Sequence, residues 1–196
     1  MILPTRSGWK DSDWTIQCIE TSKMCSICYQ GISLAQACRH NAHLQAGETG
    51  EQGLIAQLPD SYYIPESSVV FRQPALNAAA FQHPCILTGK RSTCGHLVFC
   101  IPMTAFSGYE SIQGKFARYV NAKKKTTIMN EYVAVKRANT VPHNTLGDLH
   151  HSGPETPLQS YVHLDYGFWI EQEYLTKFTG DCRKLTSTSY QHLMSL

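Results

Sequence analysis

The sequence predicts a mainly β protein: a small, partly closed barrel that ends in a C-terminal helix and is preceded by a loosely structured N-terminal arm. Three observations predict it. Short apolar runs bounded by glycine or proline recur from about residue 61 onward, as strands joined by turns require. Extended helical patterns are scarce. Residues 1–60 differ in composition, with four of the eight cysteines and a Gly/Gln/Glu-rich stretch from Gln45 to Gln57.

A chain of 196 residues fits one domain with an appended arm, and 42% hydrophobic content supplies one core. The net charge of +2 and pI near 8.1 exclude a polycation. No run of 18 apolar residues argues for a membrane span, and MILPTRSGWKDSDWTIQC lacks the apolar core of a signal peptide. An intracellular protein is expected, cytoplasmic rather than nuclear, whose cysteines are thiols or metal ligands rather than disulfides.

Taken in order, the arm holds Trp9 and Trp14, a pattern permitting a short helix over Ile32–His43, and a linker over Ala46–Gly53. The barrel domain is placed at 61–196. Ser68–Arg72 reads as a strand, and Gln73–Phe81, with Pro74 and three alanines, as a loop with a short helical turn. Cys85-Ile86-Leu87 and Leu97–Ile101 flank a polar, glycine-containing link and predict a hairpin. Pro102 has no N–H to donate, so pairing should stop or bulge there and Thr104 should emerge at a strand end. His83 precedes Pro84 at the entry to the first strand. Antiparallel pairing sets that entry beside the exit of the second, which brings His83 and Thr104 close. Phe106–Lys125 reads as irregular, Tyr132–Lys136 as a strand, Asn139–Leu158 as a long Pro/Gly-rich loop, and Tyr161–Leu164 as a strand. Ile170, Tyr174, Leu175 and Phe178 share a helical face. Thr188 with Gln191 resembles a capping box opening the terminal helix.

Besides His83 and Thr104, three groups of residues have the chemistry to act. Cys25-Ser-Ile-Cys28 is followed by Cys38, His40 and His43. Four thiolate or imidazole ligands suit tetrahedral zinc, but this spacing matches no standard zinc module. No cofactor is expected, with zinc at Cys25, Cys28, Cys38 and His40 as the alternative. His143, His150 and His151, with Asp148, offer metal ligands or a general base in a loop, where exposed histidines are the ordinary case. From Lys115 to Arg137 the chain carries Lys115, Arg118, Lys123, Lys124, Lys125, Lys136 and Arg137 against Glu131 alone, a local +6 in a chain of +2. With Tyr119 and Tyr132 interleaved, this window fits phosphates and stacked bases, against the plainer reading of a solvated loop. No nucleotide-binding, GxSxG or HExxH motif is present.

The order SVVFRQP, FQHPCILTG, LVFCIPMTAF, then Ser160-Tyr161-Val162 with Asp165, Leu175, Gly180 and a terminal helix, is similar to MazF/PemK-type toxin endoribonucleases over about residues 61–196. The match lies in order and spacing rather than in any single motif. The resemblance implies an SH3-like barrel and metal-independent RNA cleavage in which the ribose 2′-hydroxyl attacks its own phosphate. It implies an arginine and a threonine bracketing that phosphate. Thr104 stands at the threonine position. His83 stands where the family has arginine, and it lacks both the permanent charge and the guanidinium fork. Arg72 and Lys115 are candidates for the missing charge. The stretch from about Tyr109 to Gln159 is an insertion relative to the compact toxins. Two functions are therefore expected in competition. One is an RNA-cleaving or RNA-binding protein with His83 and Thr104 at the phosphate and Lys115, Arg118, Lys123, Lys124 and Lys125 on single-stranded RNA. The other is a catalytically inactive module that binds a protein. A homodimer is implied by the resemblance alone.

Overall fold

The computed structural model describes residues 52–73, 76, 78–91, 96–106, 109, 111–137, 140, 143–156, 158–178 and 183–196. The expectations for Trp9, Trp14, the helix at 32–43 and the ligands Cys25, Cys28, Cys38 and His40 lie outside these residues. Among those described, the protein is mainly β, with ten strands and a C-terminal helix.

The expected hairpin is present. Strand β2 (Pro84–Arg91) pairs antiparallel with β3 (Leu97–Thr104), with Cys85 opposite Pro102, Ile86 opposite Ile101 and Leu87 opposite Cys100. Beyond Leu87 the register shifts, because Arg91 lies opposite Val98. Gly89 sits in this irregularity at φ +73°, a backbone conformation that costs glycine little.

Pro102 does not end β3. It ends the pairing with β2, and the strand continues with new neighbours. Met103 and Thr104 pair with Val162 and Tyr161 of β7 (Tyr161–His163). On its other edge, Leu97–Cys100 pairs with β8 (Phe168–Glu171). The expected strand at 132–136 forms β4 (Tyr132–Val135), antiparallel to β7. The region read as a long loop contains β5 (Asp148–Leu149), parallel to β4, and β6 (His151–Ser152). Strand β1 (Leu54–Gln57) pairs with β2, with β9 (Thr176–Lys177) and with β10 (Arg183–Leu185), and β10 pairs with β6. The main path is β5-β4-β7-β3-β2-β1-β10-β6. Its two ends are consecutive in the chain and separated by His150 alone, so the mixed sheet curls until one segment serves both edges. No ladder joins β5 to β6; the covalent chain does.

Several local expectations are corrected. The packed domain begins before residue 61, because β1 lies inside the sheet; Gly53, read as linker, adopts φ +85°, donates to Leu87 O (2.8 Å) and accepts from Leu185 N (2.9 Å). Val69–Arg72 is a 3-10 turn, not a strand. Its cap Ser68 accepts from Val70 N, and the Glu171 carboxylate accepts from Ser68 Oγ and Val69 N. Just after it, the Gln73 amide donates to Trp169 O (2.6 Å) and accepts from Trp169 N (2.7 Å), filling the outer edge of β8 with a side chain. The expected helical face at 170–178 is a strand, a 3-10 turn (Gln172–Tyr174) and a second strand. A strand–turn–strand of this length places its apolar residues at spacings that mimic a helix. The short turn expected in 73–81 is the 3-10 turn Ala78–Ala80. The irregular 106–125 region contains helix α1 (Ile112–Lys115) and the start of α2 (Ala122–Met129). The terminal helix α3 (Ser187–Ser195) is present but capped by Thr186, whose hydroxyl accepts from Ser189 N, and not by Thr188.

Period-two alternation feeds two cores. Leu54, Ala56, Cys85, Leu87, Val98 and Cys100 pack on one face with Phe168 and Ile170. Ile55, Ile86, Met103, Val133, Val135 and Val162 pack on the other, under Leu193 of α3. A third cluster, Ile112, Phe116, Met129, Tyr132, Ala134 and Tyr161, lies beneath α1 and α2. Helix α3 also secures the β5–β6 junction: His150 N donates to Ser189 Oγ (2.7 Å) and Thr186 N donates to His150 O (2.9 Å). Cys85 and Cys100 are buried free thiols, and burial, reinforced by Cys85, pushes the Cys100 thiol well above its ordinary pKa.

Because Ile55 is fully buried in the centre of the sheet, Ile55→Ala is expected to cost about 2–5 kcal/mol in urea unfolding. A fragment starting at residue 61, lacking β1, is expected to show no cooperative thermal transition by circular dichroism.

Candidate functional site

The last pair of the β2–β3 ladder is Cys85 with Pro102, and His83 and Thr104 each lie two residues beyond it. Both are partly buried. Neither the His83 ring nor the Thr104 hydroxyl engages in a hydrogen bond with a described residue. The His83 backbone is held from both sides: its N–H donates to Ala80 O (3.3 Å) and its carbonyl accepts from Leu58 N (3.0 Å). Gln82, just before it, sits at φ 65°, a strained position for a residue with a Cβ. The Gln82 side chain donates to Asp60 Oδ2. The N–H of Tyr62 holds the Asp60 carboxyl below its ordinary pKa against the opposing effect of burial, with Gln82 and Ser61 assisting.

Thr104 lies directly opposite Tyr161. Cross-strand partners share a face, so Thr104 is on the side of the sheet where Tyr161 meets α1. The Tyr161 hydroxyl accepts from Ile112 N (3.1 Å), fixing α1 over that face. The structure thus places Thr104 on the face that carries the basic segment.

Within that segment the seven cations divide in two. Lys136 pairs with Asp148 (3.4 Å) and Arg137 with Glu155 (3.7 Å), both acids from outside the window. Lys115, Arg118, Lys123, Lys124 and Lys125 make no ion pair among the described residues. All but Lys125, which is half-buried, are exposed. Lys115 Nζ lies 5.1 Å from the Tyr109 ring centre, a cation–π contact. Tyr109 and Tyr119 are 45% and 42% exposed, and the neighbouring Val120 is fully exposed. Asn121 accepts from Lys124 N (2.9 Å) and starts α2, so three lysines fall in its first turn with no acid among them.

At the far end of α2 lies a group that the sequence reading did not assemble. Pairing of β4 with β7 puts Tyr132 opposite His163. The two rings stack at 4.3 Å and 13°, and the Tyr166 ring lies 4.2 Å from the imidazole, tilted by 44°. His163 Nε2 is buried without a hydrogen-bond partner, 3.6 Å from Glu131 Oε2. That separation lies within ion-pair range, yet burial holds the His163 pKa down to about 4. At neutral pH the contact is therefore an uncharged ring beside a carboxylate. Burial, then the nearby Asp165, raises the Glu131 pKa. Burial pushes the Tyr132 hydroxyl up to about 12, with Glu131, Tyr166, Asp165 and Tyr119 adding in that order. Of these residues, Tyr132 and Asp165 were visible as members of motifs. The link between Glu131 and His163 depends on a strand pairing with no local sequence signal.

The loop histidines do not converge. His143 Nε2 lies 2.9 Å from the Tyr132 carbonyl, and burial lowers its pKa. His150 is exposed with its backbone tied to α3, and His151 Nδ1 lies 2.9 Å from Ser152 O. Among the described residues, no three His, Cys, Asp or Glu side chains are arranged to hold a metal ion. No described helix is long and apolar enough to cross a membrane. Comparison of the chain with protein families, with curated proteins and with solved structures finds no match.

His163 generates a pH prediction. Its folded pKa lies below its unfolded value near 6.5, so the folded state binds fewer protons between about pH 6.5 and 4. Stability is full above that window and falls as pH drops through it. His143 acts in the same sense. Glu131, raised, acts in the opposite sense and offsets part of the loss near its own range. Urea unfolding is expected to show a loss of about 2 kcal/mol between pH 7 and pH 5. His163→Phe, which keeps the stack and removes the titration, is expected to lose less than half as much.

Proposed function

We propose that this protein binds single-stranded RNA, as a divergent relative of the MazF/PemK type on an SH3-like curled sheet. One observation carries the reading. Five cations without acid partners share the α1–α2 segment with exposed Tyr109 and Tyr119, while the other two cations of the window are neutralised. Lysine and arginine hold phosphates through counterion release, and exposed tyrosine faces stack on bases without demanding a sequence. The sheet whose two edges meet at His150 supports the barrel reading. Thr104 on the Tyr161 face supports placing the phosphate between the ladder end and α1.

Cleavage is a second reading with its own observation: His83 and Thr104 each lie two residues beyond the last β2–β3 pair, with polar groups not engaged by described residues. Histidine there can move a proton but does not hold a phosphate as arginine does. Arg72 lies in the 3-10 turn after Ser68 and Lys115 in α1, and neither is placed beside His83 by a contact.

Two measurements test these readings. Affinity for a single-stranded RNA should fall steeply with salt, with a log–log slope of about −2 to −3.5 for three to five phosphate contacts. Lys123, Lys124 and Lys125 changed together to Ala should flatten that slope by about 2; a flat response in the native protein overturns RNA binding. In EDTA, the expectation is that a long RNA is bound and left intact. Cleavage that disappears in both His83→Ala and Thr104→Ala would make the protein a metal-independent ribonuclease.

A further inference from the structure

Just after β1 the chain makes a small turn that holds two tyrosine rings in water. Ser61–Tyr63 forms one 3-10 turn, and its cap Asp60 accepts from Tyr62 N (3.1 Å). Leu58 before the turn and Ile64 after it are both buried in the first core, so the turn is anchored on each side. The rings between these anchors are left outside: Tyr62 is 88% and Tyr63 55% exposed. They meet edge to face, with centres 5.6 Å apart. Rings kept in water forgo the burial that would otherwise stabilise the fold.

The turn is also tied to the segment that leads into β2. Gln82 N donates to Pro59 O (3.4 Å), and the Gln82 side chain donates to Asp60 Oδ2. Together with the two backbone bonds of His83, these contacts keep Gln82 at φ 65°. A residue with a Cβ stays in that conformation only where its surroundings over-determine it. Tyr62, Tyr63 and His83 therefore belong to one pre-organised corner, and a ligand that meets the rings has little chain to order.

Alternation along β3 sets this corner on the same side of the sheet as the cations. Val98 and Cys100 face the first core, and Pro102 and Thr104 follow at the same parity. Tyr161, the partner of Thr104, belongs to the cluster beneath α1 and α2. The segment that sends Leu58, Ile64 and Val70 into the first core thus covers the same side as α1 and α2. Between the two covers, Pro102 and Thr104 are partly exposed, whereas Leu97–Cys100 is buried. We propose that Tyr62 and Tyr63 are a stacking platform for bases of the bound single strand, reached across Pro102 and Thr104 from the α1–α2 cations. This rests on the RNA-binding reading above and deepens it with a second subsite. The cations take the phosphates; the rings take the flat faces of unpaired bases, which every base offers.

The test is fluorescence anisotropy on the full chain at low salt, with two labelled strands of equal length: oligo-U, and the same ribose-phosphate chain without bases. The two carry the same phosphates, so their affinity ratio isolates the contribution of the bases. The ratio is taken within one protein and does not depend on how much of a variant is active. The native protein is expected to prefer oligo-U at least about fivefold. Tyr62→Ala with Tyr63→Ala, both at exposed positions, is expected to lower that preference at least about fivefold and to leave the salt slope unchanged. Tyr62→Phe with Tyr63→Phe, which keeps the rings, is expected to retain it. A preference unchanged in the alanine pair overturns the platform and leaves RNA binding standing. A preference lost in the phenylalanine pair overturns stacking, because the hydroxyls are then the contacting groups. A native dimer in light scattering that the alanine pair converts to a monomer assigns the rings to a second copy of the chain and overturns the platform. Absence of binding to both strands overturns the RNA-binding reading and this inference with it.

Discussion

The arrangement depends on what happens to β3 at Pro102. A proline in the middle of an eight-residue strand has no N–H for a ladder, so pairing with β2 ends there and the chain passes to β7. Leu97–Cys100 has β2 on one edge and β8 on the other, while Met103 and Thr104 have β7. One strand thereby joins both halves of the sheet. Alternating side chains leave it for opposite faces, which is how a chain this short supports separate cores above and below the sheet. The same handover sets Thr104 opposite Tyr161 and so on the side of α1.

The third cluster has a different logic. It is built from rings: Phe106 touches Phe116, Tyr132 and Tyr161, and Phe116 continues to Tyr119. These apolar contacts hold α1 and α2 down even though the electrostatics of α2 oppose its dipole. Packing is the larger effect here, since burying one aromatic side chain contributes about 1.5–3 kcal/mol and the dipole terms are smaller. The segment can therefore present uncompensated charge to solvent without coming apart.

How much of this was legible in the sequence follows from how local each signal is. The β2–β3 hairpin, β4 and β7 are alternating or continuous apolar runs with punctuated ends, and they are visible. Strand β1 is only four residues, LIAQ, directly after a Gly/Gln-rich stretch that reads as linker, and nothing local reveals that it lies among three partners. Residues 170–178 mislead because strand, 3-10 turn and strand repeat apolar residues at a helical interval. In the candidate site, the five cations are readable as charge, but the neutralisation of Lys136 and Arg137 is not, since their partners come from the far side of a loop. His163 against Glu131 is a product of β4–β7 pairing, and no window of the chain contains both.

Gln73 has a consequence of another kind. A strand at the rim of a sheet presents backbone donors and acceptors that can recruit a strand from another molecule, the first step of edge-to-edge aggregation. At Trp169 in the rim strand β8 the donor and acceptor are both occupied by one side-chain amide, which imitates a neighbouring strand for a single residue and then stops. A side chain offers no continuing register, so pairing cannot propagate outward from it. Where the main path of the sheet ends, β5 and β6 are two residues each and belong to one covalent segment. A mainly β chain with short strands and many exposed tyrosines is thus shielded at Trp169 and along the main path from templated self-association, and that shielding resides in one glutamine and one histidine-linked turn.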